Sequence, residues 1–300
     1  MKFKKILNIF ILVFFVAFCS LCYFNLFDQI PLIDNSANQL QVYELWHIEC
    51  FEGGGANRQN FLNQLAIEYE KQNPAKLFMV KLVYADQLQD ALSKNTPDLI
   101  SFSEQVAEIV LPRLVEFHDE YEVRDNFLDS AKYNGKLMAI PYIASGYCYF
   151  TKTNSSSTQL YTANNNMHSA TPIIDNIEIN NGETLSSYEC YAKFVNRADI
   201  KLLGTARDLF RISNLEQLGK FSVEYQPVDS FTDLIQYIGA TVNNEDVNEF
   251  IKHILSDSSQ RKLAGLSLFS TKHLSLYNGG NYSLMEKAIE KCLVPNIFNN

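Results

Sequence analysis

One tryptophan, Trp46, stands in 300 residues that hold 21 Phe and 16 Tyr. Glycine (12) and proline (8) are both scarce, which excludes a collagen-like chain and a linker-dominated one. Positive charge is also in deficit: 25 Lys and Arg face 34 Asp and Glu, giving a net charge of −9 and a pI of about 5.1. Phosphate recognition needs a basic stripe, so nucleic acid is not an expected partner. The six cysteines form no Cys-x-x-Cys pair, which argues against a zinc site. There is no Gly-x-Ser-x-Gly elbow and no His-Glu-x-x-His helix, and the five histidines are dispersed at 47, 118, 168, 253 and 273. The expectation is a protein that is not an enzyme and uses no cofactor or metal. What remains, 47% hydrophobic and 20% charged residues, is the composition of a packed globular chain.

The one long apolar run is at the front. Lys2, Lys4 and Lys5 precede an almost wholly apolar stretch from Ile6 to Phe27, and the first acid is Asp28. Basic residues ahead of such a run stay on the cytoplasmic side and send the rest of the chain outward. Without those three lysines, 22 basic residues face 34 acids, so the exported part carries −12. Cys19 follows Phe18 and Cys22 follows Leu21; both preceding residues are bulky, where a lipidation or cleavage site calls for small ones. Residues 1–27 are therefore read as an uncleaved signal anchor, or else a signal peptide, with 28–40 as a polar tether. The expected location is the extracytoplasmic face of the cell membrane. Cys50, Cys148, Cys190 and Cys292 are read as small buried hydrophobes.

Periodicity then orders the elements. VYELWHI (42–48) reads as a strand. Asn57 caps a helix that runs to Gln72 and is stopped by Asn73-Pro74. LFMVKLVY (77–84) is a second strand, 87–94 a short helix, and DLISF (98–102) a third strand. Such alternation predicts a parallel α/β sheet. Asn134-Gly135 predicts a hairpin turn within 131–142. GYCYF (146–150) is a strand, and the polar stretch 151–172 reads as loop. A helix over 183–195, a strand over 198–205 and a helix from Ala206 follow. Two more strands lie within 221–228 and 231–242, and helices lie over 245–255, 258–263 and 282–292.

Five phrases in this order resemble the extracellular solute-binding proteins of ABC importers, the carbohydrate-binding group in particular: ELWH (44–47), FLNQLAIEYEKQNP (61–74), NTPDLISFS (95–103), YNGKLMAIPY (133–142) and NEFIKHILSDSSQRKL (248–263). The resemblance implies a two-lobed α/β fold of the type II periplasmic-binding-protein kind, with a solute, such as a sugar, held between the lobes by hinge closure and passed to permease subunits. Lobe 1 is expected mainly in 41–150, lobe 2 and the crossover in 151–220, and a return segment in 221–300. Only residues 151–193 separate Phe150 from FVNRADIKLLGTARD (194–208), so the second lobe is expected to be reduced. A reduced lobe leaves an alternative: a degenerate relative acting in surface interaction or sensing without transport.

Candidate ligand contacts follow from position. In open α/β sheets ligands sit beyond the carboxyl ends of the strands. Trp46 ends the first strand, where an indole either stacks on a sugar ring or belongs to the core; His47 points to the other face and is read as structural. Glu52, Gly53, Gly54 and Arg58 surround the turn into the first helix, whose free N–H groups suit hydroxyls or an anion. Ser101 and Ser103 end the third strand, as polyol-binding hydroxyls or, for Ser103, as a helix cap. Tyr142 and Tyr147 flank the expected hinge. Arg207 opens the helix after Gly204-Thr205.

Overall fold

The computed structural model describes residues 40–48, 57–153, 159–163, 180 and 183–298. The chain divides into two compact units, Met1–Gln41 and Val42–Asn300, and the second holds the architecture described here. Among the described residues no helix is long and apolar enough to cross a membrane; the segment 1–27 lies outside them.

The first half of unit two alternates strand and helix: β1 (Gln41–Ile48), α1 (Arg58–Gln72), β2 (Lys76–Val83), α2 (Leu88–Lys94) and β3 (Leu99–Phe102). Asn57 caps α1 by accepting from the Asn60 N–H at 3.2 Å, and Asn73 closes its other end. Short helices α3 (Ala107–Val110) and α4 (Asp125–Asp129) lead to the hairpin β4 (Lys132–Tyr133) and β5 (Lys136–Leu137). Asn134 and Gly135 both take positive φ, 50° and 79°, which is the geometry a two-residue turn of this kind demands.

β6 (Ile140–Ala144) completes a five-stranded sheet of order β2-β1-β3-β11-β6, where β11 is Ile235–Ala240. β1 and β3 run parallel, with Leu45 opposite Leu99 and His47 opposite Ser101. β11 is antiparallel to both β3 and β6, so the sheet is mixed and not wholly parallel as the strand–helix alternation predicts. The reason is connectivity: β11 returns from the second sheet and enters the first from its rim. One face of the sheet packs aromatic on aromatic. Tyr43 stacks on Phe78 at 4.8 Å between centroids, Phe78 on Phe250 at 4.0 Å, and Tyr69 meets Phe250 edge-on at 5.3 Å. These rings join β1 and β2 to α1 and to α7 (Glu245–Ile254).

The second sheet has the order β10-β7-β9-β8, from β7 (Tyr147–Lys152), β8 (Gln159–Thr162), β9 (Ile200–Thr205) and β10 (Val223–Pro227). β8 falls in the polar stretch expected to be loop. Its Leu160, Tyr161 and Thr162 are buried, and it pairs in parallel with β9; local composition hid a strand that its partner makes. α5 (Ser187–Asn196) begins with Ser186 and Glu189 bonding each other's backbone N–H. α6 (Ala206–Gln217) begins with the equivalent pair, Thr205 and Asp208. Both are reciprocal caps. Helices α8 (Asp257–Arg261) and α9 (Gly280–Ile289) complete the fold.

The chain passes between the sheets at 145–146 and again at 228–234. The two passages are laced together: Ser145 N–H donates to the Leu234 carbonyl at 2.8 Å, and Thr232 Oγ1 donates to the Ser145 carbonyl at 2.8 Å. A third segment borders them, since Thr232 N–H donates to Leu293 C=O and Leu293 N–H to Ser230 C=O. Gly146 is where α9 comes closest. A Cβ there would stand 2.7 Å from Ile289 Cγ1. Gly146→Ala is therefore expected to lower stability by about 1–3 kcal/mol through overpacking. Gly265→Ala, with nothing within 4 Å of the added carbon, is expected to stay within about 0.5 kcal/mol of wild type. Thermal melts of the two variants side by side check this.

Candidate functional site

A row of polar side chains crosses the five-stranded sheet at the rim that faces the passages. His47 ends the β1–β3 ladder opposite Ser101, and its Nδ1 lies 2.9 Å from Ser101 Oγ. Ser101 Oγ is also 2.7 Å from Tyr142 Oη, and Gln236 Nε2 donates to it at 3.0 Å. His47, Ser101, Tyr142 and Gln236 are all fully buried. His47 is in register with Ser101, and Gln236 lies two residues from Ile238, the β11 partner of Ser101, so alternation puts these three on one face, while Tyr142 joins them at the register shift between β11 and β6. One hydroxyl thus meets three side chains from three other strands. Serine has one proton and two lone pairs, which is enough for all three contacts.

Arg58, the first residue of α1, is also buried and lies close enough to affect His47. Burial, and next the Arg58 charge, push the imidazole from its ordinary 6.5 down to about 3. The ring is neutral at neutral pH, and the row carries no charge of its own beside that guanidinium.

The passages bring in further groups. Tyr147, the first residue of β7, is buried and its hydroxyl donates to Asp233 Oδ1. Burial, with the Asp233 carboxylate next, raises the phenol well above its usual value. That bond joins the start of the second sheet to the second passage.

Of the ten residues singled out from sequence, Ser101 and Tyr142 meet directly and Arg58 lies beside the same row. Ser103 is buried one residue beyond β3 and precedes a short helical turn, but its hydroxyl does not cap that turn. Trp46 is 4% exposed. It points to the opposite sheet face from His47, among core residues, and its Nε1 donates to Glu44 Oε2 at 3.2 Å. Tyr147 belongs to the second sheet. Arg207 sits in the first turn of α6, where its N–H donates to Thr205 Oγ1 at 3.3 Å, in the layer of the second sheet. Glu52, Gly53 and Gly54 lie outside the described residues. Sequence reading missed Gln236, which sits inside an apolar strand, LIQYIGA. A lone amide within such a run was the available signal, since a buried polar side chain needs a partner. His47, read as structural from sequence, is a member of this row.

Cys148, Cys190 and Cys292 are free and buried, and burial raises each thiol to about 12. They behave as small hydrophobes, while Cys50 lies outside the described residues. Among those residues there is no cluster of His, Cys, Asp and Glu able to hold a metal ion.

Two α/β sheets joined by laced passages, with strand ends of the first sheet gathered at the junction, make up a two-lobed α/β fold. Solved structures share it. A cyclo/maltodextrin-binding protein complexed with maltotetraose superposes with a TM-score of 0.60 at 11% identity, over 88% of this chain and 88% of that one. The GacH receptor of Streptomyces glaucescens, solved unliganded and with acarbose and an acarbose homologue, gives 0.59 at 12% identity, over 85% of this chain and 88% of that one. With most of both chains matched, the comparison does not support the reduced second lobe expected from sequence. No protein-family model matches the chain, and no curated protein matches it.

Proposed function

We propose that the protein is an extracytoplasmic solute-binding protein that takes a carbohydrate between its two sheets and delivers it to the permease of an ABC importer, tethered to the membrane by its N-terminal segment. The observation that carries this reading is the junction itself. Strand ends of the first sheet converge there in neutral hydrogen-bonding groups, and the laced passages supply a hinge of few residues. Hinge closure about such passages is an established mode of ligand capture. Neutral hydroxyl and amide groups suit a polyol, which both donates and accepts. The two solved structures named above carry or were studied with sugars and sugar analogues, in keeping with this reading. Within the described residues, Arg58, Ser101, Ser103 and Tyr142 are the proposed contacts from the first lobe, and Tyr147 and Arg207 those from the second. The mechanism is reversible binding without bond chemistry.

A second reading has its own observation. The single indole is in the core, and the Ser101 and Tyr142 hydroxyls are engaged with each other. That pattern suits a relative that keeps the fold and serves in surface interaction or sensing.

Calorimetry and thermal melts against maltotetraose, acarbose and a panel of shorter sugars separate the two. A ligand of the folded state held at about one hundred times its Kd adds about 2.7 kcal/mol of stability. The transport reading expects heat and a raised melting temperature with at least one sugar. No heat and an unmoved melt across the panel would leave the second reading.

A further inference from the structure

Gln236 does more than fill a polar hole beneath the sheet. It stands one residue inside β11, directly after the second passage, and its Nε2 donates twice: to Ser101 Oγ at 3.0 Å and to the carbonyl of Ile48 at 3.2 Å. Ile48 is the last residue of β1 and lies one residue past the final β1–β3 pair. β1 and β11 are not neighbours in the sheet, because β3 lies between them. The amide therefore reaches over a whole strand to hold the end of β1. On its other side, Gln236 follows Leu234 and Ile235, whose backbones are bonded to Ser145 and Asp233 of the two passages. Tyr142, three residues before Ser145, brings the other strand of the hinge to the same serine. Among the described residues neither His47 Nε2 nor Gln236 Oε1 has a hydrogen-bond partner, so the row keeps a spare acceptor on the amide and a spare nitrogen on the ring.

We infer that Gln236 is a positioning residue of the inter-sheet cleft: it ties the end of β1 to the hinge, so that rotation of one sheet against the other and the placement of the β1 terminus change together. The inference deepens the solute-binding reading and rests on it for its functional meaning. Buried amide and hydroxyl bonds fix geometry because leaving one partner unpaired in the interior is unfavourable. Rigid coupling across β3 thus needs only one side chain. Trp46, two residues before Ile48 and the single tryptophan, is a native reporter at that strand end.

The test uses the full chain with Gln236→Met, which keeps the length and removes both donors. Ser101→Ala is a second variant that leaves the Ile48 bond, and Val247→Ala in α7 is a control for general destabilisation. Amide hydrogen exchange without ligand is the first readout. Coupling expects Gln236→Met to speed exchange at residues 46–48 and at 230–235 together, by about tenfold or more, with slower exchange elsewhere preserved. Exchange that rises only within β11, or that matches the Val247→Ala pattern, would overturn the inference and leave Gln236 a structural filler. Maltotetraose is the second readout. In wild type it should change Trp46 emission, and in Gln236→Met the affinity should fall about tenfold or more with that change lost. Wild-type affinity and an intact Trp46 response in Gln236→Met would also overturn it. If wild type gives no heat with any sugar while the coupled exchange pattern is present, the sugar reading fails and the positioning role stands. Should Gln236→Met not fold, Gln236→Asn decides, since it keeps a buried amide one methylene too short for the Ile48 carbonyl: coupling expects raised exchange at 46–48 and 230–235 together, and its absence overturns the inference.

Discussion

Trp46→Ala is expected to lower the free energy of unfolding by about 3–5 kcal/mol, the range for truncating a large aromatic in a packed core. The indole is 4% exposed and belongs to the main core cluster. Its N–H donates to Glu44, whose carboxylate also takes Lys81 Nζ at 3.3 Å and Asn95 Nδ2 at 3.2 Å. Truncation therefore empties a large volume and also loosens a polar group that joins β1, β2 and the turn before β3. Trp46→Phe restores most of the volume but removes the N–H and two ring carbons, so its loss should be about 1–3 kcal/mol. Urea unfolding followed by far-ultraviolet circular dichroism measures both, since the alanine and phenylalanine variants have no tryptophan to follow. A loss below about 1 kcal/mol for Trp46→Ala would place the ring outside the core.

Acid should destabilise the protein from pH 6.5 downward. His47 has its folded pKa lowered from 6.5 to about 3, chiefly by burial and then by Arg58. Between those values the unfolded chain binds a proton that the folded chain refuses. Stability is thus fully present above 6.5 and declines as pH falls toward 3, with a slope of up to about 1.4 kcal/mol per pH unit for this one group. Among the described residues, the groups facing the imidazole are Arg58 from α1, Ser101 from β3, and, through that serine, Tyr142 from β6 and Gln236 from β11. None of these four is a carboxylate that would favour the protonated ring. His253, also lowered by burial, contributes in the same direction, so the two histidines must be separated. His47→Asn keeps a polar group near the Nδ1 position and does not titrate. It should flatten the stability–pH curve between pH 6.5 and 5 by close to one proton. His253→Gln should leave the His47 share in place. Unfolding curves at half-unit steps, above the main carboxylate range, would show it. An unchanged slope in His47→Asn would mean that the imidazole is hydrated and titrates normally in the folded chain.

Much of the secondary structure was legible locally because local rules decide it. Asn57 sits before an apolar-periodic run that ends at Asn73-Pro74, and α1 fills that interval. Asn134-Gly135 meets a turn whose φ values few other residues accept. Thr205 and Asp208 mark the start of α6 by their spacing alone. The five phrases over 44–263 pointed to a two-lobed solute-binding fold, and the solved structures agree at the level of fold. β8 was not legible, since it is a strand only by virtue of β9 beside it.

By itself the sequence determined an acidic chain with a basic and then apolar first segment, the alternating order of strands and helices, and the residue types at each strand end. Tertiary structure alone decided which of these meet. Alternation allowed Trp46 either face of use, and packing turned it to the core. Tyr142 and Gln236 lie 41 and 135 residues from Ser101 in the chain, yet both meet its single hydroxyl. No local pattern encodes such a contact. It follows from the antiparallel return of β11 from the second sheet, which carries Gln236 to the rim where β1 ends.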